Sequence, residues 1–236
     1  MELLKELDIK TYDQYITGTK FIKLNADTKA RKYSSDLPSV GVLSTIDLGQ
    51  AMSRLEWLVK AVGAENPWKH ADAELLDSIT VAGLLKKVTF TDKVKEMIVA
   101  ATRTVFGADP SQINALYFLT YCAAGGSFQQ IVGATPGTAQ EYKIVGGSQN
   151  VCSLLVDNYI GAENVKLSTP VTKIEQNEDT VSIYSCQHKY QCKYAILAMP
   201  PQQLLKIDFI PALPQLQIAL DQDDVYRSPD QSYCYL

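Results

Sequence analysis

Apolar residues recur at helical spacing through the first part of the chain. Between Ser44 and Val62, the residues Leu48, Ala51, Met52, Leu55, Leu58, Val59 and Val62 predict one long amphipathic helix. Pro67 closes that section. Two further helices are predicted over Thr80–Lys87 and Asp92–Val105, the second with Val94, Met97, Ile98, Ala101 and Val105 on one face. Asp109-Pro110-Ser111-Gln112 reads as the start of a fourth, with an acidic cap, proline at the first helical position and glutamine at the third. Ile113, Leu116, Tyr117 and Thr120 carry it toward Gly125–Gly126. At the N-terminus, Leu3, Leu4 and Leu7 form an apolar stripe with no cap before it, so Glu2–Leu7 reads as the end of a helix.

The pattern changes after Gly146–Gly147. Ser148 is a good N-cap, Val151, Leu154, Leu155 and Tyr159 share a helical face, and Gly161 supplies a stop. Beyond it, Val171, Ile174, Val181, Ile183 and Ile196 lie in β-branched runs with polar residues interleaved. Asn177, Glu178 and Asp179 mark a tight turn, and the last strand is expected to end at Pro200–Pro201. A short helix can start after Pro201, and PALPQLQIAL reads as an extended, proline-punctuated path. Tyr12, Tyr15, Phe21 and Ile22 suit short strands, whereas 25–38 reads as loop. The stretch from Gly125 to Gly137, with four glycines and a proline, fits either a mobile pocket-lining loop or a plain surface turn. The expected fold class is α+β, a helical block followed by antiparallel or mixed strands, with no regular βαβ alternation. Residues 221–236 are polar and aperiodic and are not expected to complete a core.

Composition narrows the function classes. A chain of 236 residues, 46% hydrophobic, can form one large or two small domains with a real core. The net charge of -4, with 22 scattered basic residues, gives no footprint for nucleic acid. No run approaches the roughly eighteen consecutive apolar residues of a membrane-spanning helix. MELLKELDIK lacks the apolar centre of a signal peptide, so the sequence reads as that of an intracellular, reduced protein.

Five irregularly spaced cysteines do not make a disulfide framework. Cys186, His188 and Cys192 flank what reads as a hairpin turn and fall short of the four ligands of a structural zinc site, so no metal is expected. The other histidine, His70, has no cysteine or carboxylate pattern beside it. G-x-G-x-x-G is absent from the chain. Gly146–Gly147–Ser148 suits a tight turn more than an anion site, and Asp221, Asp223 and Asp224 suit a solvated tail. Trp57, Trp68, Tyr117 and Phe118 read as core. Residue chemistry alone therefore ends at an α+β globular chain.

Five motifs in order carry a resemblance: PWKHADAELLDSIT, INALYFLTY, AQEYKIVGGSQ, PVTKIEQ and YAILAMPP. Together they resemble the flavin-containing amine oxidase family, and most closely its monoamine oxidases, over about Glu2 to Pro214. The resemblance implies an FAD-binding domain interleaved with a substrate-binding domain. It also implies oxidation of a small primary or secondary amine to the imine, with oxygen reoxidising the flavin and leaving as hydrogen peroxide. On this resemblance residues 1–214 are expected to be a partial amine oxidase domain, and 215–236 a divergent tail.

The same resemblance implies site residues. Val171 matches the position whose backbone meets the adenine end of FAD, and Ala198 and Pro200 belong to the corner that approaches the cofactor. Gln140 matches the glutamine lining the monoamine oxidase substrate pocket, Ile131 the gating aliphatic residue, and Thr104 and Val105 the pocket wall. No catalytic residue is carried over. The glycine-rich FAD fingerprint, the flavin-contacting lysine, the flavin-linking cysteine, the two-tyrosine cage and the membrane tail match nothing in this chain. The expectation is therefore a fragment inactive on its own, whose parent uses FAD, oxygen and a small amine. A full-length animal parent would sit at the mitochondrial outer membrane. Alternatives are a non-catalytic, self-associating module derived from such an oxidase, or part of a polyamine or L-amino-acid oxidase.

Overall fold

The computed structural model describes residues 1–24, 29–34, 38, 40–186, 188–215 and 218. They fall into two compact units, the first comprising Met1–Ser148 and the second beginning at Gln149.

The first unit opens with α1 (Glu2–Glu6), β1 (Thr11–Asp13), β2 (Lys20–Ile22) and β3 (Arg31–Tyr33). It continues with α2 (Val42–Val62), a 3-10 turn (Pro67–Lys69), α3 (Ala73–Asp77), α4 (Val81–Val88) and α5 (Asp92–Phe106). It closes with α6 (Ala115–Ala124), α7 (Phe128–Val132) and β4 (Tyr142–Ile144). The predicted periodicity of α2 is its burial pattern: Ala51, Leu55, Val59 and Val62 all lie inside. They pack with Leu85, Val94, Phe118 and Leu119 into a large apolar cluster. Each valine, leucine or phenylalanine among them, removed from water, contributes about 1.5–3 kcal/mol.

One buried carboxylate ties two helices into that cluster. Asp47, on α2, is fully buried and accepts hydrogen bonds from the amides of Phe90 (3.1 Å) and Thr91 (2.7 Å) and from the Thr91 hydroxyl (2.6 Å). Thr91 is the N-cap residue of α5, so Asp47 places negative charge where the helix start favours it.

Local signals failed at several places in this unit. The fourth helix starts at Ala115 instead of just after Asp109, because the backbone before it is used elsewhere. The amide of Ala82 donates to Pro110 O (2.9 Å), and that of Val81 to Ile113 O (2.8 Å). Asn114 becomes the cap, its Oδ1 accepting from Tyr117 N at 3.0 Å. The Gly125–Gly137 stretch contains α7, which buries Phe128 and Ile131, so a bare loop or turn is not what it forms. Within the expected loop of 25–38, Arg31–Tyr33 pairs antiparallel with β2, Phe21 opposite Lys32. The rest of that span is largely outside the described residues. Tyr15 joins no strand and is exposed. Of the four aromatics expected in the core, Phe118 is fully buried, whereas Trp57, Trp68 and Tyr117 are each more than half exposed.

The second unit begins with α8 (Gln149–Leu155), which runs into a π-helical turn at Val156–Ile160 and stops at Gly161, φ 82°. It continues through β5 (Val171–Gln176), β6 (Val181–Ser185), β7 (Lys189–Cys192), α9 (Pro201–Leu204) and β8 (Asp208–Ile210). The four strands form one mixed sheet in the order β7-β6-β5-β8, antiparallel except for the parallel β5–β8 pair. The β5–β6 turn is closed by Asn177, whose Oδ1 accepts from the amides of Asp179 (3.0 Å) and Thr180 (2.8 Å). Ile174, Val181 and Ile207 form a small core.

The expected strand over YAILA is absent. Residues 194–198 are irregular, and Ile196 is 92% exposed. β-branched residues form a strand only where a partner strand accepts their backbone, and among the described residues this run has none. Among the described residues, no helix is long and apolar enough to cross a membrane. Asp221, Asp223 and Asp224 lie outside the described residues.

Candidate functional site

The four positions matched to a substrate pocket lie in the first unit. Thr104 is exposed near the end of α5, and its hydroxyl donates to Ala100 O of its own helix at 2.9 Å. Val105 is half-buried against the helical core, the same cluster that contains Ile131. The structure thus brings Val105 and Ile131 into one apolar body, while Thr104 faces solvent.

Ile131 is placed by residues that carry no sequence signature. It sits over Gly125, where an added Cβ would clash with Ile131 Cγ2. The start of α7 is held twice: Ser127 Oγ accepts from Gln130 N at 3.0 Å, and Glu56 Oε1, on α2, from Gln129 N at 3.1 Å. The chain then folds back along α7, with the amide of Ala139 donating to Gln130 O and that of Gln140 to Gly133 O, both at 3.0 Å. Gln140 is therefore fixed through its backbone to Gly133, two residues beyond Ile131, with its side chain exposed. Glu141 closes the fold-back by accepting from Gly137 N at 2.8 Å. The Tyr142 hydroxyl, and then the Gly137 amide, hold the Glu141 carboxyl below its usual range.

The three cofactor-matched positions lie in the second unit. Val171 opens β5, half-buried, opposite Ser185, and the register shifts between it and Lys173. Ala198 is exposed, and Pro200 is the half-buried residue that caps α9. None carries charge. Their side chains would meet a dinucleotide only by van der Waals contact and bring no charge to a phosphate. Just past the corner, Gln202 has both side-chain amide atoms buried without a partner.

A groove of about 710 Å³ runs along α5, with Lys23 and Leu24 on one side and Asp92, Lys95, Glu96, Val99, Ala100 and Arg103 on the other. It contains none of the four substrate-matched residues. Arg103 is paired with Asp109, which also accepts from the amide and hydroxyl of Ser111; these bonds, Ser111 first, hold the Asp109 carboxyl at about 2. Of the cysteines, Cys122 is buried and its thiol is pushed up to about 12, by burial and then by the charge of Glu56. Among the described residues, no group of three His, Cys, Asp or Glu side chains is placed to hold a metal. On the β-sheet, Glu175 pairs with Lys173 and accepts from the Tyr184 hydroxyl, and Lys173 and then Tyr184 lower its pKa. That network lies on the sheet surface, where two lysine ammonium groups also approach the Tyr184 ring.

The family model for flavin containing amine oxidoreductases matches residues 1–222. Amine oxidase [flavin-containing] B of Canis lupus familiaris is 29% identical over 219 residues, covering 92% of this chain and 41% of the relative. Amine oxidase [flavin-containing] A of the same species is 30% identical over 224 residues, covering 91% and 40%. Among solved structures, the cyclohexylamine oxidase from Brevibacterium oxydans superposes with a TM-score of 0.82 at 26% identity, over 94% of this chain and 48% of that one. A putrescine oxidase redesigned at its cofactor site gives 0.83 at 23% identity, a likeness of fold alone. The chain thus spans about two fifths of the length of the curated relatives it matches. With most of its length matched in sequence, this chain belongs to the flavin-containing amine oxidase family, whose cofactor is FAD.

Proposed function

We propose that the chain supplies part of an FAD-dependent amine oxidase that converts a small primary or secondary amine to the imine, with release of hydrogen peroxide. The observation that carries this reading is the family match along residues 1–222. Thr104, Val105, Ile131 and Gln140 would contribute to the substrate wall, and Val171, Ala198 and Pro200 to the edge of the cofactor site. Residues 1–214 would be the partial oxidase domain, with 215–236 divergent from it. Bound FAD would supply the electron acceptor, which oxygen returns to its oxidised form. The chain's own contribution is to exclude water: an apolar wall such as Val105 and Ile131 favours the neutral amine over the ammonium, because burial penalises the charged form.

By itself the chain is expected to be inactive, since none of its residues offers a phosphate-binding fingerprint. The test is a flavin absorbance and fluorescence spectrum of the purified chain after incubation with excess FAD, followed by peroxide release with aryl and alkyl amines. No retained flavin and no peroxide are expected. Retained flavin with amine-dependent peroxide would overturn the proposed inactivity.

A second reading, a non-catalytic self-associating module, is favoured by one observation. Val42, Leu43 and Ile46 on α2 are all more than half exposed. Sedimentation over a concentration series tests it: a monomer at every concentration removes this reading.

A further inference from the structure

We draw no further inference here: the strongest candidate, the Gln202 carboxamide at the head of α9, with Oε1 and Nε2 buried and unpartnered, is closed off from solvent beside the corner already described, and nothing in the structure shows what pairs with it.

Discussion

The helical unit and the sheet unit solve the burial problem to very different degrees. In the first, α2 lays Ala51, Leu55, Val59 and Val62 against residues from α4, α5 and α6, and the cluster includes several side chains with no exposure at all. In the second, four strands and two short helices bury Ile174, Val181 and Ile207, while Tyr159, Tyr194 and Ile196 remain at the surface. Burial of apolar area is the dominant favourable term in folding. The difference therefore places most of the chain's intrinsic stability in the helices and leaves several apolar residues of the second unit at the surface.

The largest expected effect comes from the centre of the helical cluster. Phe118→Ala should cost about 4 kcal/mol in urea unfolding followed by far-UV circular dichroism. Ile174→Ala, in the smaller core, should cost less and leave the helical signal in place. Equal losses of helical signal from both variants would break the comparison. Next comes Asp47→Ala, which strands the amides of Phe90 and Thr91 inside the protein; the expected cost is about 3 kcal/mol. A cost below about 1 kcal/mol would mean that Asp47 does not tie α5 to α2.

Gly125→Ala is a smaller and more local probe. Its φ of −83° leaves no backbone strain, so the whole effect comes from the clash with Ile131, about 2 kcal/mol. The double variant with Ile131→Ala, which removes the clashing Cγ2, should lose less in thermal melts than the sum of the two single variants. Full additivity would place Ile131 elsewhere. The smallest stability effect is expected in the sheet unit: Ile196→Ser should stay within about 0.5 kcal/mol of the parent chain.

What the sequence disclosed follows the range of the interactions involved. The bounds of α2 and α5 were readable within a few residues because helical periodicity is local, and Asn177 announced its turn for the same reason. The start of α6 was misread because amides of Val81 and Ala82, some thirty residues earlier, engage Ile113 and Pro110. Helix α7 was missed because one of its N-terminal acceptors is Glu56, 73 positions away from Gln129. Trp57 and Trp68 read as core from a helical position and a neighbouring proline, neither of which fixes the side on which a residue lies. For the candidate site, motif resemblance located positions, whereas the support of Ile131 by Gly125 and Glu56 is visible only in three dimensions.

The thiol of Cys122 has a practical consequence. At neutral pH a group whose pKa stands near 12 is almost entirely protonated, and the thiolate is the species that alkylating reagents attack. Cys152 and Cys186 are exposed and should be consumed first. Modification of Cys122 then requires the helices around it to part, so its slow labelling serves as a clock for opening of the helical unit, read by mass in an otherwise unaltered chain.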